Sequence, residues 1–353
     1  MHAGGGRVAA PGTAGGPAIV SFSRAPSWVR NAAMTVFNFH ASHEQIHPRA
    51  LLDAVVHAER VGFDAAMCSD HFSPWSARQG HSGFAWSWLG AALQATGLPF
   101  GVVNAPGQRY HPAIVAQAIG TLAAMYPGRF WAALGTGEAS NEHITGDGWP
   151  RKSARAARLR ECVDVIRALL AGEEVSHDGL VRVDRARLWT RPEQPPALLG
   201  AAVSVPTARW CAGWADGLIT VNAPVEHLRR MIRAYRDAGG RGPLHLQVHL
   251  SWAPDQAEAE AVAYDQWRSN VFVPPVCWDL ETAEHFDVVS ADVPMRRVTQ
   301  VVNVSADLGR HVGWLEEYLT LGFDQIALHH VGKEQSAFLD TFGAEVLPKL
   351  RAR

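Results

Sequence analysis

Long apolar runs are missing from this chain: none approaches the roughly 20 residues needed to cross a bilayer, so no transmembrane helix is expected. Cysteine is scarce. The four present, Cys68, Cys162, Cys211 and Cys277, lie far apart with no C-x-x-C pair. That spacing offers no disulfide framework and fits a reducing, cytoplasmic setting. Charge is sparse and balanced, with 32 Lys plus Arg against 34 Asp plus Glu, a net charge of -2, and only 19% of residues charged. Such a balance gives no overall pull toward nucleic acid or an anionic membrane, which leaves a small molecule as the expected partner.

What is present is a large apolar fraction, 47% of 353 residues, enough for one large α/β domain with a substantial core. The first 33 residues are rich in Gly, Ala and Pro and lack the compact apolar segment of a secretory signal; they read as a disordered leader, with a single domain over residues 34–353. From Met34 onward, short β-branched or aromatic runs alternate with longer helical patterns, the signature of βαβ units. Strands are expected at Val36–Phe39, Phe63–Met67, Leu98–Val103, Phe130–Leu134, Ala197–Ala201, Gly217–Val221, Leu244–Trp252 and Gln325–His330. Helices are expected between them at Arg49–Val61, Phe84–Thr96, Pro112–Met125, Lys152–Ala171, Pro206–Ala212, Glu226–Ala238 and, as helix seven, Asp255–Asn270. The fold class is a (β/α)8 TIM barrel. A polar stretch around Val181 and Val183 reads as an excursion outside it, and residues 271–303, with Pro274, Pro275 and Pro294, as an insertion suited to a lid.

Two strands end in chemistry. Ser69-Asp70-His71-Phe72-Ser73-Pro74-Trp75 follows the run Phe63–Met67, and an Asp-His pair at a strand end can fix an imidazole, bridge a metal or cap a turn. Trp75 adds an aromatic face of the kind a planar ring stacks on. The turn Gly135-Thr136-Gly137-Glu138 lets backbone approach a ligand closely, and Asn141 and Glu142 thicken the polar cluster. Beyond Ala201 and Ala202, the hydroxyls of Ser204 and Thr207 precede a helix start, where an anion is favoured, although simple capping accounts for them too. Seventeen histidines, among them His40 with His43, His245 with His249, and His329 with His330, also raise a metal-dependent barrel hydrolase. Against that, no H-E-x-x-H is present and no strand supplies an H-x-H pair beside carboxylates.

These blocks resemble the bacterial luciferase-like superfamily: Ala41-Ser42-His43-Glu44-Gln45, Ser69-Asp70-His71-Phe72 with Pro74-Trp75, Arg109-Tyr110 with Pro112, Gly135-Thr136-Gly137-Glu138 with Asn141-Glu142, and the late Gly322-Phe323. Within it, the branch of coenzyme F420-dependent glucose-6-phosphate dehydrogenases is most similar. The resemblance implies a flavin or deazaflavin, FMN or F420, at the C-terminal mouth of the barrel. It implies that Asp70 binds the ring region, that His71 transfers the proton, that Trp75 steadies substrate and developing charge, and that Glu44 and Glu138 are acid-base or orienting carboxylates. Val102 and Val103, at a strained non-prolyl peptide behind the ring, and Thr136, Gly137, Glu138, Asn141, Ala201, Ala202, Ser204 and Thr207 are the other implied cofactor contacts.

The chain also departs from that pattern. Ala202 and Val203 stand where the family has paired glycines at the cofactor-phosphate turn, and Val221-Asn222-Ala223-Pro224 lacks the lysine that would hold a sugar phosphate. The loop before Arg109 is one residue short. The expectation is therefore an oxidoreductase passing a hydride between F420 or FMN and a small organic substrate other than glucose 6-phosphate. An oxygen-using FMN monooxygenase and a non-catalytic flavin-binding protein are the alternatives beside the hydrolase. Trp-rich segments such as Phe84–Leu89 make a homodimer plausible.

Overall fold

The computed structural model describes residues 35–352, so the leader expected over residues 1–33 lies outside the described residues. Eight parallel strands close on themselves: β1 (Val36–Ala41), β2 (Ala65–Ser69), β3 (Phe100–Asn104), β4 (Phe130–Leu134), β5 (Leu198–Ala201), β6 (Gly217–Val221), β7 (Leu244–Ser251) and β8 (Gln325–His330). Each pairs with its neighbour in this order, and β8 pairs with β1, which makes the (β/α)8 barrel that the alternation predicts. β2 starts later than expected because Phe63 is spent on closing the preceding helix, its N–H donating to Ala58 O at 3.0 Å.

The surrounding helices are α1 (Pro48–Arg60), α2 (Ala85–Ala95), α3 (Pro112–Met125), α4 (Lys152–Ala171), α5 (Val205–Cys211), α6 (Val225–Asp237) and α7 (Leu308–Leu319). α1 and α3 open on proline, whose missing N–H costs nothing there, and His47 and His111 cap them by accepting from Arg49 N and Ala113 N. α4 stops at Gly172, which takes a left-handed φ of 97°. The polar excursion is an antiparallel hairpin of Val175–Asp178 with Arg182–Ala186, outside the barrel sheet. Trp86 and Trp88 of α2 turn inward, donating to Asp70 Oδ2 at 3.1 Å and Pro48 O at 3.1 Å, so only Phe84 remains of the surface that the tryptophans were expected to offer a second subunit.

Packing occurs on both faces of the barrel wall. Outside, strands and helices share the main core; inside, Met67, Trp131, Ala133, Leu199, Ile219 and Ala327 fill the lower barrel. Gly101 makes room for the Trp131 indole, since a Cβ there would stand 1.9 Å from it. Strand parity separates Val102, which faces the helices in the main core, from Val103, which faces the interior. The strained peptide implied at these residues is not found. β3 keeps regular register with both β2 and β4 there, and neither residue has a positive φ or a cis bond.

The connection between β7 and β8 corrects the expected helix seven. Asp255–Asn270 does form a helix, Gln256–Trp267 with one further turn, but it packs in a satellite core of Ala259, Ala263, Trp267, Val271, Val298 and Val302. The helix that joins the main core, through Leu315 and Tyr318, is α7. Three short helices, Val276–Asp279, Ala283–Val289 and Met295–Val298, lie in the expected insertion. Among the described residues, no helix is long and apolar enough to cross a membrane, and the four cysteines are unpaired.

Candidate active site

The C-terminal ends of the strands open into a cavity of about 410 Å³, within the size range of small-molecule sites. Its walls include Glu44, Asp70, His71, Trp75, Val103, Thr136, Gly137, Glu138, Asn141, Ala201, Ala202 and Thr207 of the expected site residues. Val102 and Ser204 do not reach it. Val102 is on the wrong face of its strand, and Ser204 caps α5, its Oγ 2.9 Å from Thr207 Oγ1 and accepting from Thr207 N at 3.4 Å.

The centre is a pair built by two adjacent strands. The segment after β1 buries Glu44 and the segment after β2 brings His71 to it, Nδ1 to Oε1 at 2.6 Å, while Ser42 Oγ donates to Glu44 Oε2 at 2.8 Å. Burial opposes ionisation of Glu44, but the His71 imidazole and its hydrogen bond outweigh it and hold the carboxyl down to about 2. Burial likewise opposes charge on His71, yet Glu44 outweighs it and raises the imidazole above its ordinary value. Because ionised Glu44 only accepts, His71 carries its proton on Nδ1 and presents Nε2. The Trp75 indole stands edge-on to His71, centroids 5.3 Å apart, and is backed by Phe286 of the insertion at 5.5 Å.

A second titrating group lies close by. Burial, with smaller like-charge contributions from Glu44 and Glu142 and an opposing pull from His71, pushes Glu138 up to about 7. Asn141 is a strut: Oδ1 accepts from Phe72 N at 2.8 Å and Ser73 N at 3.2 Å, and Nδ2 donates to Glu138 Oε2 at 3.4 Å. Asp70 is fixed too, accepting from Asn104 Nδ2 at 2.8 Å and Trp86 Nε1 at 3.1 Å at Oδ2, while Arg109 Nη2 donates to its backbone O at 2.7 Å. Arg109 is held between Asp70 and Glu142, at 3.7 and 3.5 Å.

Sequence reasoning missed several walls. Asn104, Lys152, His40, Gln247, His249, Trp267 and His329 all border the cavity. Lys152 stands at the start of a long helix that reads as solvated, yet its Nζ donates to Thr207 Oγ1 at 3.3 Å and lies 4.1 Å from the Trp278 ring centroid. The histidines were visible, but as metal candidates. Two of the three pairs come apart: His40 faces the cavity while His43 packs on Trp88, and His329 faces it while His330 stacks on Phe338; His245 and His249 share a face of β7, but His245 lies deeper, against Trp131. Among the described residues, no group of three or more His, Cys, Asp or Glu is placed to hold a metal ion.

The site suits a ring cofactor with a phosphate. Asn104 Oδ1 is a buried acceptor with no donor, at the wall next to Val103, which fits a ring N–H. Gly137, whose φ of 76° and close packing on Glu142 and Ala105 suit glycine, borders the same space, and Thr207 with Lys152 offers a hydroxyl and a cation to an anion.

Comparison with known proteins agrees with this picture. A family model described as luciferase-like monooxygenase matches residues 31–319. An F420-dependent glucose-6-phosphate dehydrogenase of Nakamurella multipartita is 36% identical over 330 residues, covering 90% of this chain and 96% of the relative. One from Intrasporangium calvum is 36% identical over 340 residues, covering 90% and 99%. Among solved structures, an F420-dependent secondary alcohol dehydrogenase in complex with an F420-acetone adduct superposes with a TM-score of 0.83 at 29% identity, covering 90% of this chain and 99% of that one.

Proposed function

The chain belongs to the luciferase-like monooxygenase family, and from that membership we propose that it is a coenzyme F420-dependent oxidoreductase interconverting an uncharged alcohol and its carbonyl compound. The observation that carries the reading is the pair of buried Glu44 and partly buried His71, 2.6 Å apart, beside Trp75 and at the edge of a cavity suited to a ring. When bound, F420 supplies the two-electron carrier that accepts or returns a hydride.

The chain's own residues do the rest. Asp70, Asn104 and the Gly135–Gly137 turn hold and orient the ring, and Thr207 with Lys152 takes its phosphate. His71 Nε2 accepts the hydroxyl proton as the alcohol's carbon loses its hydride, and Glu44 stabilises the imidazolium that results. The edge of Trp75 and the insertion residues Phe272, Cys277, Trp278 and Phe286 roof the chamber and exclude water. Glu138, raised to about 7, exchanges a proton near physiological pH and can pass on the one that His71 collects.

The charge inventory supports an uncharged substrate. Four carboxyl groups border the cavity, Glu44, Asp70, Glu138 and Glu142, against the permanent cations Arg109 and Lys152. Arg109 is already shared by Asp70 and Glu142, and Lys152 stands with Thr207 at the phosphate subsite. Asn222, where a phosphate-holding lysine was expected, spends its amide on Val301 O at 3.2 Å and His249 N at 2.9 Å. Among the described residues that line the cavity, a second phosphate on the substrate would find no free cation.

Fluorescence titration of the purified protein with F420 and, separately, FMN tests the cofactor. F420 is expected to bind and FMN to bind at least about tenfold more weakly; preference for FMN would redirect the reading to oxygen chemistry. With F420, propan-2-ol is expected to be oxidised with a kcat/KM at least about a hundredfold above that for glucose 6-phosphate, and parity between them would contradict the charge argument.

A further inference from the structure

Below the catalytic pair, the barrel order β2-β1-β8-β7 carries a row of imidazoles. His40 stacks on His329 with centroids 4.2 Å apart, and His249, in register with His329, follows at 5.4 Å. The Trp267 indole lies against both His249 and His329, at 4.8 Å from each. The hydrogen bonds around this row fix its proton positions one after another. Gln45 Nε2 donates to Val331 O, which turns Gln45 Oε1 toward His329 Nε2 at 2.9 Å. An amide oxygen only accepts, so His329 carries its proton on Nε2. Burial, reinforced by the neighbouring imidazoles, holds His329 well below the ordinary histidine range and hence neutral. Nδ1 must then accept, and Gln247 Nε2 donates to it at 3.2 Å. The other proton of the same amide goes to His249 Nε2 at 3.1 Å, which leaves the His249 proton on Nδ1. That nitrogen has no protein partner among the described residues and is not among the buried side-chain atoms left without one, although His249 borders the cavity.

We propose that His249 Nδ1–H is a specificity-determining donor that reads a hydrogen-bond acceptor on an otherwise apolar, uncharged substrate, with Gln45, His329 and Gln247 as positioning residues that lock its tautomer. The inference rests on the alcohol-oxidising reading above and adds the substrate class: an alcohol with a second, accepting oxygen away from the reacting carbon. Trp267 and Val301 supply the apolar surface beside that oxygen. The set differs from a phosphate site, since every member is neutral.

The probes are cyclohexanol and tetrahydropyran-4-ol, secondary alcohols that differ by one ring oxygen, assayed with F420-loaded protein alongside a separate F420 titration. The readout is the ratio of their KM values, so the intrinsic hydrophilicity of the ether cancels between variants. His249→Phe keeps an aromatic ring and removes the donor; it is expected to shift the ratio against tetrahydropyran-4-ol by roughly 3- to 10-fold, the worth of one hydrogen bond, with F420 affinity unchanged. His249→Asn, whose amide can place an N–H near the position of Nδ1, is expected to restore part of the preference. Gln45→Leu, outside the cavity, is expected to lose part of it. Nitrogen-15 NMR of labelled histidine should show His329 protonated on Nε2 and His249 on Nδ1. An unchanged ratio in His249→Phe, an equal KM rise for both alcohols, or the opposite tautomers would overturn the inference while leaving the oxidoreductase reading intact. Failure of the unmodified protein to bind F420 would overturn that reading and this inference with it.

Discussion

His71→Ala is expected to lower kcat for alcohol oxidation by about 10²–10⁴-fold, the range that a positioned general base contributes. The F420 dissociation constant should move far less, because Asp70, Asn104 and the phosphate subsite are untouched. Glu44→Gln separates basicity from geometry. Glu44 raises the His71 imidazole above its ordinary value, so activity in the unmodified protein falls as pH drops through that raised value and the ring becomes protonated. Removing the carboxylate lowers the imidazole's affinity for a proton. The acidic limb of the kcat/KM profile therefore moves to lower pH, while the plateau above it falls because the base is weaker. A His71→Ala variant with kcat within threefold of the parent would remove His71 from the chemistry.

Acidification from pH 7 to pH 4 is expected to unfold the protein or bring it to the edge of unfolding. Burial holds His40, His43, His311 and His330 down to about 4 and His245 down to about 3. In the unfolded chain each titrates near 6.5. The unfolded state therefore binds more protons between about 6.5 and 4, and stability falls as pH is lowered through that window. A shift from about 6.5 to about 4 is worth about 3 kcal/mol per residue once pH reaches the lower value, and total stabilities of domains run about 5–15 kcal/mol. Other groups act differently, Glu44 and Glu138 most strongly. Glu44, held at about 2, keeps its stabilising contribution above its unfolded value and loses it only as pH falls toward 2. Glu138, raised to about 7, is relieved of its burial penalty as it protonates, which offsets part of the loss on the way down to its unfolded value. Seven histidines, with His249 and His329 included, outnumber the groups held the other way, Glu138, Glu142 and His71, and decide the sign. Urea titrations at pH 7, 5.5 and 4.5 should give a steadily falling midpoint, and a constant midpoint would mean that these imidazoles are not held neutral.

The barrel was legible in the sequence because its signal is local. Short apolar runs ended by polar residues mark each strand, and α3, α4, β4, β6 and β8 fall at their expected bounds. Helix seven was misassigned. Gln256–Trp267 holds the expected place after β7 but has almost no apolar face, whereas Leu308–Leu319 carries a clear one and is the helix that joins the main core. The first half of the site, Glu44, Asp70, His71, Trp75 and Glu138, could be read because its residues sit in contiguous blocks at strand ends. The second half is assembled by closure. His249, Gln247, His329 and His40 come from β7, β8 and β1, which are neighbours only because the sheet returns to its start. Alternation along β7 puts His245, Gln247 and His249 on one face, but only closure of the barrel shows what stands opposite. The same parity, applied to Val102 and Val103, would have removed Val102 from the expected contacts.

The central claim is that a hydride leaves an uncharged alcohol for F420 in the cavity beside Glu44 and His71. Its most direct test is turnover of propan-2-ol deuterated at C2, with air excluded, followed by mass spectrometry of the reduced cofactor. One deuterium in the reduced cofactor per acetone formed, at a rate that does not depend on oxygen, is the predicted result. Reduced cofactor without the label, or oxidation of the alcohol only when oxygen is admitted, would contradict it.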